Sequence, residues 1–211
     1  ERDVLPLRVA DYNPQWLDDL CLAGDVAWGR LTLRKNGNGT ARGVSASRAT
    51  PITLALRRDL PSLLDAARGV EQPDAPAAGD ASAVYDALMR HGALFFDDLV
   101  AATRMLPVQL EEALWDLVGR GLVTSDGFSS LRQIMTPKRA ARDGRRHARY
   151  GAARIGRAAS GPQGRWSLVR RFGADTLHAD ELAESAGMQL LARYGVVFRD
   201  LVAREHLGVP W

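Results

Sequence analysis

The stretch Gly121–Met135, "GLVTSDGFSSLRQIM", follows directly on a strongly helical segment of the chain. Its pattern predicts a strand, a tight turn and a second strand. A short hairpin after a helix is how a winged-helix domain ends. The stretch therefore raises the question of whether this chain reads DNA through a winged helix or uses that fold for another purpose.

Three predicted helices precede the hairpin: "SAVYDALMRHG" (82–92), "FFDDLVAATR" (95–104) and "PVQLEEALWDLVGRGL" (107–122). The third begins at Pro107, a favourable first helical residue, and continues with apolar residues at helical spacing. Three helices and a two-stranded wing predict a complete winged helix at residues 81–136.

Residues 1–68 predict the end of an earlier winged helix. "NPQWLDDLCLAG" is an amphipathic helix with Asn13 as its cap and Gly24 at its end. The strand patterns "DVAWGRLTLR" and "TPITLAL" then flank a long connection, which predicts an extended wing. "LPSLLDAARG" predicts a helix after it.

The remaining segments connect or extend these two units. Residues 69–80 are rich in Pro, Ala, Gly and Asp and predict a linker. Residues 137–164 predict a basic linker, and 165–211 a strand plus the start of a further winged helix, because "LARYGVVFRDLVARE" echoes "MRHGALFFDDLVAAT". The predicted fold class is mainly α with short β hairpins (α+β), arranged as tandem winged-helix domains.

Composition excludes several classes of protein. No apolar run approaches 18 residues, so we expect no membrane partner. Cys21 is the only cysteine, which rules out a disulfide framework and fits a cytoplasmic location. Neither lysine follows a glycine as a P-loop requires, and the four histidines lack metal-ligand spacing. We predict no catalytic residue, metal or cofactor in this chain.

The net charge of +3 hides an asymmetry. Residues 137–172 carry eleven basic side chains and one acidic side chain, whereas the other segments of the chain are net acidic. Because arginine forks suit phosphate, we predict that this stretch contacts nucleic acid. The candidates are Lys138, Arg139, Arg142, Arg145, Arg146, Arg149, Arg154 and Arg157, and more weakly Arg30, Arg34, Lys35, Arg42 and Arg48 in the first wing. The alternative is a solvated linker, or one that pairs with its acidic neighbours.

The two helices that would enter a DNA groove carry the wrong charge. The third helix of the second unit is predicted to expose Gln109, Glu111, Glu112, Asp116 and Arg120, and its counterpart in the first unit Gln15, Asp18 and Asp19. Carboxylates repel phosphates, so we predict that neither helix docks in a groove. Packing in the core is predicted for Trp16, Cys21, Trp28 and Trp115.

Five groups of residues follow one another along nearly the whole chain: "LCLAGDVAWGRL", "SRATPITLALRRDLPSLL", "GALFFDDLV" with "GLVTSDGFSSLRQI", "GRWSLV", and "LLARYGVVFRDLVARE" with "PW". In this order they resemble the C-terminal region of the large helicase-related (Lhr) family. The resemblance implies an accessory region of a superfamily 2 ATP-dependent DNA helicase with a role in DNA repair. Its motor domains, with their ATP and Mg, would lie upstream, and its partner would be single-stranded or branched DNA.

The resemblance also leaves alternatives open. Such extensions are similar in their winged-helix units to bacterial DNA glycosylases, and they have been linked to base removal and to oligomer formation. The chain is therefore interpreted first as an accessory DNA-binding and scaffold region. The alternatives are a glycosylase module and a protein–protein scaffold that forms a homo-oligomer. The resemblance supplies no catalytic residue, so whether this chain is itself an enzyme stays open.

Overall fold

The computed structural model describes residues 1, 4–32, 51–69, 73–135, 164–169, 178–205 and 207–209. Helices predominate, and short antiparallel strands pair between them, so the predicted α+β class with winged-helix units is confirmed. Within these ranges, no helix is both long and apolar enough to cross a membrane.

The first unit contains α1 (Leu5–Arg8), α2 (Pro14–Ala23), β1 (Val26–Gly29) and β2 (Thr53–Leu56). As predicted, Asn13 caps α2, because its side chain accepts a hydrogen bond from the backbone of Gln15, and Gly24 ends the helix in a left-handed conformation. β1 and β2 pair antiparallel, so the chain between them is a wing. A 3₁₀ turn (Arg57–Asp59) and α3 (Leu60–Arg68) follow.

The second unit begins with α4 (Asp80–His91), β3 (Leu94–Phe95), α5 (Phe96–Thr103), α6 (Pro107–Gly119) and β4 (Val123–Ser125). α6 packs against α4 and α5. It buries Leu110, Leu114 and Leu117 completely, as the spacing of its apolar residues predicts.

The prediction that the hairpin has a second strand is wrong. Phe128–Met135 forms a helix, α7, rather than a strand. Phe128 and Leu131 are buried and Ile134 packs against the core, and a spacing of three residues places all of them on one face of a helix. A strand would have sent successive side chains to opposite faces.

The true partner of β4 is β5 (Arg165–Leu168), which lies far along the chain. β5 is the central strand of a three-stranded antiparallel sheet, in which Trp166 lies opposite both Leu94 of β3 and Ser125 of β4. The sequence had placed this strand with a later unit, whereas its pairing completes the second unit. Residues 126–164 are therefore a connection within the second winged helix.

The last described elements are α8 (Ala179–Tyr194) and α9 (Arg199–Arg204). α8 packs against α3, and it buries Ala186 and Leu190. The backbone amide of Gly208 donates a hydrogen bond to the carbonyl of Ala66 at 2.6 Å. Whether these helices begin a further winged helix stays a prediction.

One hydrophobic core runs through both units. Trp28 of β1 makes edge-to-face contacts with Phe128 and Trp166, at ring-centroid distances of 6.2 and 6.0 Å. Burial of Cys21 and Trp28 is confirmed, and burial raises the pKa of the Cys21 thiol to about 11. The prediction for Trp16 is wrong. Its side chain is 47% exposed, because Leu17 and Cys21 occupy the side of α2 that faces the core.

Two buried arginines join the units at the end of α6. Arg68 of α3 donates hydrogen bonds to the carbonyls of Leu31 (2.8 Å), Arg30 (2.7 Å) and Gly121 (2.9 Å). Arg30 donates to the carbonyl of Gly119, the last residue of α6, where a cation also meets the negative end of the helix dipole. Arg30 had been a candidate DNA contact, and that prediction is wrong because the side chain is buried between the units.

The aromatic core predicts a large loss of stability at one tryptophan and a small loss at another. Trp166→Ala should lower the free energy of unfolding by about 3–5 kcal/mol, because it removes a fully buried ring from the central strand. Trp16→Ala should cost less than about 1 kcal/mol, because that ring is half exposed. Urea unfolding followed by circular dichroism measures both. Equal losses would contradict the shared core.

The contacts of Arg30 and Arg68 predict that an alanine substitution destabilises the protein more at Gly121 than at Gly24. Gly121 and Gly24 both have positive φ, but a Cβ at Gly121 would lie 2.7 Å from Arg68 Nη2 and 2.8 Å from the Arg30 carbonyl. Gly24→Ala should cost about 1–2 kcal/mol from backbone strain alone. Gly121→Ala should cost at least about 1 kcal/mol more, since buried hydrogen bonds must also move. Thermal unfolding of the pair tests this, and equal shifts would mean that the arginines carry little stability.

Candidate nucleic-acid interface

The segment that joins β4 to β5 is the wing of the second unit. It begins after Ser125, forms α7, and returns to the sheet at Gly164. We call its central part, residues 136–163, the basic wing, since it carries eight basic side chains and one acidic side chain. The strongest concentration of positive charge in the chain therefore lies between two paired strands of one winged helix.

The base of this wing is closed by Asp126. Its carboxylate accepts a hydrogen bond from the backbone amide of Arg165. It also forms an ion pair with the Arg165 side chain, with 2.9 Å between Nε and Oδ2. The backbone amide of Asp126 donates to the Arg165 carbonyl at 3.1 Å. Gly164 adopts φ of +121°, and a Cβ there would lie 2.8 Å from the same carboxylate, so only glycine fits. These contacts hold the two ends of the wing together.

The helix at the root of the wing, α7, is held against α2 of the first unit. Asp18 of α2 accepts a hydrogen bond from the backbone amide of Ser129 at 2.8 Å and an ion pair from Arg132 at 2.7 Å. Arg132 also contacts both carboxylate oxygens of Glu1, at 2.7 and 3.1 Å, and its guanidinium lies 5.1 Å from the centre of the Phe128 ring. We call the contacts among Glu1, Asp18, Ser129 and Arg132 the root clamp.

The charges of the root clamp stabilise one another. Burial lowers the pKa of the Arg132 guanidinium, but its hydrogen bonds to Glu1 and Asp18 outweigh burial and raise it overall. Burial raises the pKa of the Glu1 carboxyl, but hydrogen bonds from Arg132 and Tyr12 bring it below its usual value. Glu1 and Arg132 are therefore both charged near neutral pH.

The position of Asp18 corrects the sequence analysis, which had placed this residue on the exposed face of α2. The side chain is buried and faces α7. Sequence reasoning missed it because its partner Arg132 lies 114 residues further along the chain. The exposed face of α2 instead presents Trp16, Leu20 and Leu22 together with the carboxylate of Asp19, a surface with little attraction for phosphate.

The outer face of α6 is equally unsuited to DNA. Gln109 and Glu112 are exposed, and Glu111 is partly exposed. Arg120, just beyond the helix, forms an ion pair with Asp116 at 2.9 Å, which offsets its charge. The exposed side chains of α2 and α6 are therefore consistent with the prediction that neither helix docks in a groove. That prediction itself stays a prediction.

The predicted contact residues themselves lie outside the described part of the chain. These are the eight from Lys138 to Arg157, together with Arg34, Lys35, Arg42 and Arg48. Their place in the chain is nevertheless fixed by the strands on either side. The first set lies between β4 and β5, and the second between β1 and β2.

A cavity of about 240 Å³ lies where the two units meet. Its lining includes Gly29, Arg57, Leu88, Thr124 and Ser167. Arg30, Arg57 and the two hydroxyl residues are polar, and among the described residues no aspartate, glutamate, asparagine or glutamine lines the cavity. Across the described residues, no group of three or more His, Cys, Asp or Glu side chains is placed to hold a metal ion.

Comparison with known proteins supports the resemblance to Lhr proteins. Residues 1–54 match the profile described as "Large helicase-related protein, winged-helix domain". Across 98% of its length the chain is 30% identical to the "Lhr helicase/ probable uracil glycosylase" of Mycolicibacterium smegmatis. Across its full length it is 27% identical to the "Lhr helicase/uracil glycosylase" of Escherichia coli.

The chain spans 13% and 14% of the lengths of these two relatives. The family match at the first winged helix and the alignment of nearly every residue with Lhr proteins agree with the fold described above. The resemblance of this chain to the winged-helix region of large helicase-related (Lhr) proteins is therefore confirmed.

Proposed function

We propose that this chain is the DNA-contacting accessory region of an ATP-dependent DNA helicase, and that its basic wing holds the DNA backbone. ATP and Mg would bind to the motor domains of the parent protein rather than to this region. The winged-helix cores would serve as a rigid scaffold that presents the wing. We expect the parent protein to act on single-stranded or branched DNA during repair, in the cytoplasm.

The observation that carries this proposal is the pairing of β5 with β4. β4 pairs with β5, and Asp126 forms an ion pair with Arg165. The chain that carries the basic wing therefore starts and ends at neighbouring points of the second unit. An anchored cluster loses less conformational freedom on binding than the same charges on an open linker would lose. Arginine also pairs well with phosphate, because its planar fork can donate two parallel hydrogen bonds.

The exposed faces of α2 and α6 also support the proposal that DNA binds to the wing and not to these helices. The outer faces of α2 and α6 carry carboxylates or apolar side chains, so a phosphate backbone would gain little there. Base-specific reading also requires a helix to enter a groove between two phosphate backbones, which exposed carboxylates oppose. DNA binding through the wing alone would be governed by phosphates, and would therefore be insensitive to sequence and sensitive to salt.

Uracil excision is a second candidate, because both relatives carry that activity in their names. A glycosylase must hold an extruded base in a pocket and direct a carboxylate or an amide towards the sugar. The cavity between the units has a volume of about 240 Å³, but the described residues that line it include neither a carboxylate nor a side-chain amide. An excision assay with uracil-containing single-stranded DNA tests this candidate. Release of uracil by the native chain would favour it over a purely DNA-holding role.

The wing proposal is tested with two variants of equal charge change. The wing variant replaces six arginines by glutamine: Arg139, Arg142, Arg145, Arg146, Arg149 and Arg154. The control replaces six exposed arginines outside the wing: Arg8, Arg58, Arg90, Arg104, Arg199 and Arg204. If six wing residues reach phosphates, the native chain should bind duplex DNA with a log–log salt slope of about −5.

Fluorescence anisotropy with single-stranded, forked and duplex DNA across a salt series measures both affinity and slope. The wing variant should lose at least about tenfold in affinity at low salt and show a much shallower slope. The control should stay close to the native chain. Equal losses in the two variants would point to net charge rather than to the wing, and absence of binding by the native chain would refute the proposal.

A further inference from the structure

The last two helices carry an exposed apolar surface. Its five side chains are between 38% and 62% exposed: Met188, Leu191, Tyr194, Val196 and Phe198. We call them the α8–α9 surface. α8 also packs against α3, but the residues that it buries are Ala186 and Leu190. Single apolar residues on a surface are ordinary, whereas a group of five in one short segment indicates a contact site.

The same segment repeats the sequence pattern of α4 and α5. "LARYGVVFRDLVARE" (191–205) and "MRHGALFFDDLVAAT" (89–103) both contain a helix end, a glycine, apolar residues and the sequence Phe-x-Asp-Leu-Val-Ala. The two segments differ in length by one residue between the glycine and this sequence. Phe198 therefore corresponds to Phe96.

The backbone geometry at the two helix ends agrees with this correspondence. Gly92 after α4 and Gly195 after α8 have φ of +78° and +76°. The amide of Gly92 donates a hydrogen bond to the carbonyl of Leu88, and the amide of Gly195 donates to that of Leu191. An extended stretch and a second helix follow in both cases. Leu191 therefore corresponds to Leu88.

Corresponding residues differ sharply in burial. Leu88 and Phe96 are 1% and 4% exposed, whereas Leu191 and Phe198 are 44% and 52% exposed. In the second unit, α6 packs against both α4 and α5, and its apolar residues share one core with Leu88 and Phe96. The side chains exposed on α8 and α9 are therefore those that a third helix covers in a complete winged helix.

We propose that α8 and α9 are the first two helices of a further winged helix, and that a helix equivalent to α6 packs on the α8–α9 surface. A part of the parent protein outside these 211 residues would supply this helix, since the relatives described above are far longer than this chain. Its apolar residues would follow the spacing of Leu110, Leu114 and Leu117 in α6. The proposal does not depend on DNA binding, so the wing proposal can fail without affecting it.

The correspondence with α4 predicts opposite accessibility for two adjacent positions in the parent protein. Leu191 corresponds to Leu88, which is 1% exposed, and Ala192 corresponds to Met89, which is 49% exposed. In this chain both Leu191 and Ala192 are exposed. A cysteine introduced at either position reports its accessibility through its rate of reaction with a thiol reagent. Cys21 reacts little in comparison, because it is buried.

In this chain, Leu191→Cys and Ala192→Cys should react at rates within about threefold of each other, since both positions are exposed. In the parent protein, Leu191→Cys should react at least about tenfold more slowly than Ala192→Cys, because only the first is covered. Mass spectrometry of the digested protein measures the rate at each position. Equal rates at the two positions in the parent protein would overturn the proposal.

A second pair of variants tests the same proposal near α9. Phe198 corresponds to the buried Phe96, and Arg199 corresponds to the exposed Asp97. Phe198→Cys should therefore be protected in the parent protein, while Arg199→Cys stays reactive. Protection at Arg199→Cys instead of Phe198→Cys would show a partner that packs differently from α6, and would overturn the proposal.

A second copy of the chain is the alternative occupant of the α8–α9 surface. In that case Leu191→Cys would already be protected in this chain at high concentration, and it would become reactive on dilution. This result would overturn the proposal. Rates in this chain that do not change with concentration, together with protection in the parent protein that survives dilution, would support a helix of the same polypeptide.

Discussion

The placement of β5 between β3 and β4 is the constraint on which the rest of the structure depends. It completes the sheet of the second winged helix and places Trp166 at the centre of the core. Through Trp28, that ring connects the sheet of the second unit to the sheet of the first. It also places the basic stretch, in chain order, between two paired strands of one unit, which is the position of a wing.

The two units are joined by contacts of different physical kinds. Aromatic rings meet in the middle of the core, and buried arginines bind carbonyls at the end of α6. A network of ion pairs lies at the root of the wing. Because buried polar groups are costly when left unpaired, these hydrogen bonds favour one arrangement of the units.

Local patterns in the sequence were sufficient for elements whose signals are local. The apolar spacing in α6, the Asn13 cap and the strands around the first wing were all predicted correctly. Phe128–Met135 was misread because a tight turn after β4 favoured a returning strand, although the spacing of Phe128, Leu131 and Ile134 indicated a helix.

Non-local contacts lay beyond the reach of sequence reasoning. The pairing of Ser125 with Trp166 crosses about forty residues of basic, polar chain, and nothing in that stretch indicates which strand follows it. Asp18 was assigned to solvent because carboxylates usually are exposed, and only the fold brings Arg132 to it. The charge asymmetry was visible from the start, but its location in a wing depends on the distant strand.

The most direct test of this account is to cleave the basic wing and ask whether the protein stays together. A specific protease site inserted between Gly151 and Ala152 would allow cleavage without denaturation. The two pieces would then be examined by size-exclusion chromatography with light scattering. We predict a single particle of the native mass, 23.0 kDa plus the insert, because β5 and α8 remain packed in the fold. Separation into two particles would show that the basic stretch links independent units, and would contradict the account.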